Sequence, residues 1–300
     1  MRVLVTGAHG FIGAAAIPAL LEAGHEVVGI DCIAGPRIQV GDITRMEDCV
    51  AASAGAEVII HSVGIHLATQ VAENPMQMVD VNVKGTLNIL QAAKMSGTRR
   101  IIYLSSAKVY GDPERLPSLE SDLPRPREPY ALAKLVAEQY CQTFHKKNGI
   151  EAVVIRPFSV YGPGQDHNSG YVGMALEALK TDGVVTFPGR ADYLRDFVHI
   201  RDVVRLCALA TTADLPGYTV FNSGSGEAYT LDELVAMIAL AADVPLSSRF
   251  RKPSVETIKR TMGDMDSAKD LLGYQPEIGL QQGIAETVAW FMNGGLRKHA

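Results

Sequence analysis

Cysteine is scarce in this 300-residue chain: Cys32, Cys49, Cys141 and Cys207 stand far apart, with no Cys-x-x-Cys pair. That excludes a disulfide-stapled scaffold and a zinc ribbon, and fits free thiols in a reducing compartment. The eight histidines fall into no metal-ligand spacing such as His-Glu-x-x-His, so no metal centre is expected. Neither sign of charge dominates. Lys and Arg number 28 and Asp and Glu 33, interspersed, for a net charge of −5. No global field draws the chain to nucleic acid or to an anionic membrane, and any phosphate must be held by a local device. Long apolar runs are missing too; the best candidate, 14–21, is too short to span a bilayer and contains Pro18. The opening residues read as part of a folded motif rather than as a leader, and the expected location is the cytoplasm. Repeats and low-complexity segments are also absent.

What is present is the ordinary make-up of a globular protein, 47% apolar and 20% charged, with length for one large domain or two packed lobes. Short β-branched runs at 2–6, 26–30, 57–61, 100–105 and 151–156 read as strands. Several are apolar at consecutive positions, as when both faces of a sheet are covered. Between them, 11–23, 79–96 and 130–147 read as helices. Such βαβ alternation with right-handed crossovers predicts an α/β fold built on a doubly wound parallel sheet. Pro18 falls inside the first helix and predicts a kink there or a later start. After Arg156 the texture becomes irregular. Thr230-Leu231-Asp232-Glu233 is a capping box opening a further helix. The reading is a dinucleotide-binding domain over 1–156 and, mainly, a smaller interleaved C-terminal substrate lobe over 157–300. A strand near 219–222 returns to the first domain.

The first strand runs into Gly7-Ala8-His9-Gly10-Phe11-Ile12-Gly13 and then a helix. Gly7 permits the tight turn, Gly10 lets the backbone approach a pyrophosphate, and Gly13 lets the helix pack closely on the strand. The helix N-terminus adds free N–H groups and positive potential. Asp31 closes the second strand eighteen residues after Gly13, where a carboxylate accepts from both ribose hydroxyls of an adenosine and repels a 2′-phosphate. This favours NAD over NADP. Asp42, in Gly41-Asp42-Ile43 after the third strand, is placed either to meet the adenine amino group or as an ordinary turn aspartate. The expected cofactor contacts are Gly7, Gly10, Phe11, Ile12, Gly13, Asp31, Asp42, Ile43 and Ser62, with Tyr130 and Lys134 toward the nicotinamide.

The fourth predicted strand ends in Ser105-Ser106, and Tyr130 and Lys134 lie four apart on a predicted helix, sharing one face. Tyrosine ionises near pH 10, too high for a base at neutral pH. A nearby ammonium and an oxidised nicotinamide favour the phenolate, and Ser106 can orient the same substrate oxygen. Ser106, Tyr130 and Lys134 are the candidate catalytic residues.

With these motifs the chain resembles the NAD-dependent nucleotide-sugar epimerase/dehydratase family of extended short-chain dehydrogenases, like the UDP-glucose 4-epimerases. The match runs through Gly7–Gly13, Asp31, Ser106 to Gly111, Tyr130/Lys134, Arg156 to Gln165, Leu194 to Val203 and Asp266 to Pro276. The resemblance implies a Rossmann-like N-terminal lobe and a nucleotide-diphosphate sugar as substrate. It also implies a homodimer joined through the helices near 79–96 and 130–147. On the substrate side it implicates Ser106, Ser159, Gln165, Arg195 and Arg251, with Arg195 on the diphosphate. Ser159 stands where Asn is more usual, and Arg251-Lys252-Pro253-Ser254 matches the family's stretch only in part. His199 is read as a helix-start histidine rather than a pocket residue. Within the family a 4,6-dehydratase needs an acid pair after the serine, and Ala107-Lys108 stand there instead. A 4-epimerase with tightly held NAD is the preferred reading, against a 4-keto-sugar reductase using exchangeable cofactor. A non-catalytic NAD-binding protein is the reading from another class.

Overall fold

The computed structural model describes residues 1–65, 73–166, 169–252 and 258–295. Its strands are β1 (Arg2–Thr6), β2 (Glu26–Asp31), β3 (Ile38–Val40), β4 (Val58–His61), β5 (Arg100–Leu104), β6 (Glu151–Pro157), β7 (Ser159–Tyr161), β8 (Val184–Pro188), β9 (Leu194–Arg195), β10 (Phe197–His199), β11 (Tyr218–Ser223), β12 (Tyr229–Thr230) and β13 (Ser247–Arg251). Seven of them form one parallel sheet in the order β11-β6-β5-β4-β1-β2-β3. From β1 the chain winds outward to β3, then crosses back to β4 and winds the other way. The reversal lies between β1 and β4, where Thr6 pairs with His61. In an open α/β sheet the crevice beyond such a switch point is where ligands bind, and Gly7 and Ser62 open it.

Both sheet faces are covered, as the unbroken apolar strands require. On one face the helices Phe11–Glu22 and Ile200–Thr212 pack with Val3, Val5, Ile102 and Phe221. On the other, Met46–Ser53, Thr86–Ser96 and Pro129–Asn148 pack with Leu4, Ile59, Ile101 and Val154. A third core joins Phe187, Phe197, Leu234, Ile238, Ile284 and Phe291 in the smaller lobe. There β7/β10, β8/β13 and β9/β12 make two-stranded ribbons. Besides β11, the helix Ile200–Thr212 and the residues Ala268 and Tyr274 also join the first core. No helix among the described residues is long and apolar enough to cross a membrane.

Two helices differ from expectation. Pro18 neither delays nor ends the first helix, which starts at Phe11 and runs through it to Glu22. Burial of Ala16 and Leu20 offsets a penalty of roughly 3 kcal/mol. The helix predicted at 79–96 begins earlier, at Pro75 behind the Asn74 cap, and passes through a π-turn at Asp80–Gly85 before Thr86–Ser96. The capping box is as read: Thr230 Oγ1 accepts from Glu233 N while Glu233 reaches back to Thr230 N.

Candidate active site

The glycine loop is shaped by contacts that a side chain would destroy. Gly7 has φ +67°, and its Cβ would lie 3.1 Å from Val63 N across the crevice; a Cβ on Gly13 would run into the Gly7 carbonyl oxygen. That carbonyl accepts from Gly10 N at 2.9 Å, closing the turn directly onto the helix. The helix Phe11–Glu22 has no side-chain cap at Gly10 and no acid in its first turn, so its leading N–H groups suit a pyrophosphate. Phe11 and Ile12 turn their side chains to the first core, leaving their backbone to the loop. The Asp31 carboxylate ties the end of β2 to this loop, accepting from His9 N at 3.0 Å and from Ile33 N at 3.1 Å. Ser62 Oγ donates to Thr6 O at 2.6 Å.

Asp42 is engaged in a local turn, its Oδ1 accepting from Thr44 N. Ile43 is buried, and its δ-carbon fills the space a Cβ on Gly85 would need. Any contact of Ile43 with an adenine would therefore fall to its backbone.

The candidate catalytic trio is brought together by two elements. β5 delivers Ser106 to the head of a short 3-10 turn, Ala107–Tyr110, where its Oγ accepts from Lys108 N at 3.2 Å. The helix Pro129–Asn148 carries Tyr130 and Lys134, with Pro129 at its first turn, where no N–H is missed. Ser106 lies beside Tyr130 as the hydrogen-bonding neighbour that acts on its phenol. Lys134 Nζ, buried, donates to Leu104 O at 2.7 Å and lies 5.9 Å from the Tyr130 ring centre. Desolvation holds the Tyr130 phenol above its ordinary range, and the Glu128 charge adds to this; the Ser106 bond works the other way. Lys108 Nζ, paired with Glu128 Oε1 at 2.6 Å, sits 5.5 Å from the same ring.

Burial lowers Lys134 from 10.5 to about 8, with the Glu138 carboxylate pulling the other way. Above about pH 8, and up to the ordinary lysine value of roughly 10.4, the unfolded chain holds a proton here that the folded chain has shed. Stability carried by this group therefore rises with pH across that window. The difference in Tm between wild type and Lys134→Met should grow in favour of wild type between about pH 7 and pH 10. A constant or shrinking difference in paired melting curves would show that Lys134 is not a desolvated ammonium.

Several site residues escaped the motif reading. Glu138, one further turn along from Tyr130 and Lys134, is fully buried; it accepts from Ser105 Oγ and takes Arg156 through both oxygens, at 3.0 and 2.7 Å. The 130, 134, 138 spacing is its signal in the sequence. Arg156 continues the network, donating to Tyr110 OH at 3.0 Å, and Tyr110 donates to Asn222 Oδ1 at 2.6 Å. Asn82, in the π-turn, accepts from Ile65 N at 2.8 Å and donates to Ile65 O at 2.9 Å. His61 bridges Thr6 Oγ1 and Thr86 Oγ1 at 2.6 and 3.0 Å; burial, and then the Lys134 charge, press it down to about 3, so it is neutral.

The expected substrate contacts are less uniform. Ser159 is half-buried, its backbone N bonded to Asp196 O, and Arg251 is exposed at the end of β13. Gln165 is buried with Nε2 on Ser169 O, and its Oε1 has no partner among the described residues. Arg195 does not present an open fork. Its guanidinium is buried between Tyr171 and Tyr193 and donates to Leu194 O, Lys259 O, Ile258 O and Tyr171 OH. The two to Lys259 O and Ile258 O pin the 258–259 stretch to β9, and a phosphate would have to displace bonds of this set. His199 is a helix-start residue, its Nδ1 accepting from Arg201 N.

Known proteins resemble this chain in sequence and fold. A UDP-glucose 4-epimerase of Mycolicibacterium smegmatis is 33% identical, over 98% of this chain and 99% of its own. The fold matches a UDP-glucose 4-epimerase of Thermotoga maritima solved with UDP-glucose (TM-score 0.91, 26% identity, 98% of this chain and 99% of that one). It equally matches a UDP-glucuronic acid 4-epimerase of Bacillus cereus solved with UDP-glucuronic acid and NAD (TM-score 0.90, 28% identity, 98% and 99%). The model of the NAD dependent epimerase/dehydratase family matches residues 3–224. A glycine cradle at the sheet's switch point, an aspartate closing β2 beside it and a Ser-Tyr-Lys trio are thus set in the frame of an NAD-using enzyme, and the chain belongs to the NAD dependent epimerase/dehydratase family.

Proposed function

We propose that this protein interconverts nucleotide sugars epimeric at C4, by transient oxidation at that carbon with Tyr130 as the base. The observation that carries the reading is the convergence of Ser106 and the Lys134 ammonium, 5.9 Å from the ring centre, on the Tyr130 phenol. The names of its relatives support the same reaction. Ser106 orients the C4 hydroxyl and Tyr130 takes its proton. NAD, when bound in the Gly7–Gly13 cradle, would supply the acceptor for the C4 hydrogen and give it back only after the sugar has turned. The planar 4-keto sugar then turns, and Tyr130 gives the proton back as the opposite configuration forms. Nothing beyond this trio is asked of the protein. A dehydratase would need a further acid and base, and Ala107 and Lys108 supply none. Asp31 favours NAD because its carboxylate opposes a 2′-phosphate. A homodimer through the helices at 75–96 and 129–148 belongs to this reading, supported by the exposed apolar side chains of Met76, Val79, Leu132 and Tyr140 on them.

The test uses nucleotide sugars deuterated at C4. An epimerase returns the label to C4 of the inverted product with no net change in free NADH. Stoichiometric oxidation of added NADH or NADPH by a 4-keto sugar, with no hydroxyl sugar inverted, would make the protein a reductase.

A further inference from the structure

Lys108 follows Ser106 by two residues and Glu128 precedes Tyr130 by two, so the 3-10 turn and the catalytic helix bring a charge of each sign to the phenol. The ends meet at 2.6 Å, with side chains still 47% and 34% exposed. Of the two ammonium groups over the Tyr130 ring, Lys134 is buried and committed to the Leu104 carbonyl. Lys108, 5.5 Å from the ring centre, keeps about half its side chain open to solvent. Neither member of the pair takes or gives the proton in the step derived above, although both charges act on the phenol.

The pair is cheap to rearrange and expensive to mismatch. A half-exposed lysine–carboxylate pair contributes about 0–1 kcal/mol. A sugar seated against Tyr130 excludes water from it, and charge then counts for more because the local dielectric falls. An ammonium has three donors, and its contact with Glu128 is an ion pair, which leaves capacity for a further acceptor. In a hexopyranose C6 hangs from C5, the ring carbon next to C4. A sugar whose C4 hydroxyl lies between Ser106 and Tyr130 therefore carries its C6 substituent close by, within reach of a side chain rooted at Lys108.

We propose that Lys108 reads the C6 substituent and selects a nucleotide sugar with a carboxylate there, a nucleotide-linked uronic acid, over the neutral hexose. This rests on the C4 reading of the same site. Lys108 bridges Glu128 and the incoming carboxylate, while the Glu128 charge opposes that carboxylate and limits its affinity. The two side chains should consequently act in opposite directions on the same preference.

The test is equilibrium binding to the NAD-saturated protein, with UDP-glucuronate and UDP-glucose as probes, for wild type, Lys108→Met and Glu128→Gln. Wild type should bind the uronate more tightly. Lys108→Met should lower the uronate-to-hexose affinity ratio roughly 10- to 100-fold, the range for a hydrogen bond between charged groups, and Glu128→Gln should raise it. A side chain that only braces the helix would move both affinities together. Equal binding of both probes by wild type, binding of neither, or a ratio unmoved by both substitutions overturns the proposal. Turnover does not enter these ratios. A protein that binds the uronate through Lys108 yet inverts no C4 centre refutes the epimerase reading, while one that inverts C4 with an unmoved ratio refutes only the role of Lys108.

Discussion

Tyr130→Phe should lower turnover by about 10²- to 10⁴-fold, the usual contribution of a positioned acid–base group, while leaving NAD bound. The ring keeps its packing and loses only the oxygen. The size of the effect follows from the surroundings of the phenol. Desolvation and the Glu128 charge hold it protonated in the cofactor-free chain. Ser106, two cations within 6 Å of the ring centre and, when NAD binds, the positive nicotinamide favour the phenolate. Ser106 alone, a hydroxyl with an ordinary pKa far above neutrality, cannot substitute as base. Stopped-flow turnover with a nucleotide sugar, alongside cofactor content after denaturation, reads both halves of the expectation. Turnover within threefold of wild type would remove the phenolate from the reaction. Loss of NAD instead of turnover would move Tyr130 from chemistry to cofactor retention.

The largest expected loss of stability comes from Arg156→Leu, about 3–5 kcal/mol, as for other buried pairs deprived of one partner. Glu138 is then left as a carboxylate with no exposed surface and only Ser105 to bond it. Tyr110 OH loses a donor at the same time. Replacing both members, Glu138→Met with Arg156→Leu, should restore much of the stability, because the uncompensated charge is gone. The double variant also separates two roles of the pair. Glu138 ties the face bearing Tyr130 and Lys134 to the end of β5 through Ser105, so a stable but sluggish double variant identifies it as a positioning residue. Urea unfolding of the three variants measures the first expectation. A loss below about 1 kcal/mol for Arg156→Leu would mean that water reaches Glu138.

The parallel sheet was legible because its central strands are apolar on both faces; runs such as Val58–His61 and Arg100–Leu104 admit few other placements. β13, Ser-Ser-Arg-Phe-Arg, gives no such signal: it lies at the edge of a two-stranded ribbon, with exposed and half-buried residues alternating. The glycine loop and the Ser-Tyr-Lys trio were legible because their chemistry demands particular residues at particular spacings. The π-turn was not, since what holds it is a pairing between Asn82 and the backbone of Ile65, seventeen residues away. Arg195 shows the same limit. Its place in the chain was recognisable, whereas the direction of its fork depends on carbonyls some sixty residues downstream. Glu138 and Arg156 form a pair whose identity lies in two separate elements and shows only when these pack.

The path of the chain between the cores has a mechanical consequence. Residues up to Ile155 fill the two cores of the large sheet, 161–197 the small one, 198–221 the large one again, 231–238 the small, Ala268 and Tyr274 the large, and 280–291 the small. The lobes are sewn together rather than strung on a single linker. A hinge of one strand lets two bodies swing freely; a seam crossed repeatedly lets them only flex, because every crossing must bend at once. Neither lobe can be cut out by a single break, since each is built from segments that lie on both sides of any cut between Val198 and Tyr274. A crevice framed in this way is expected to keep a nearly constant width, which suits the proposed cycle, in which the sugar and not the protein does the turning.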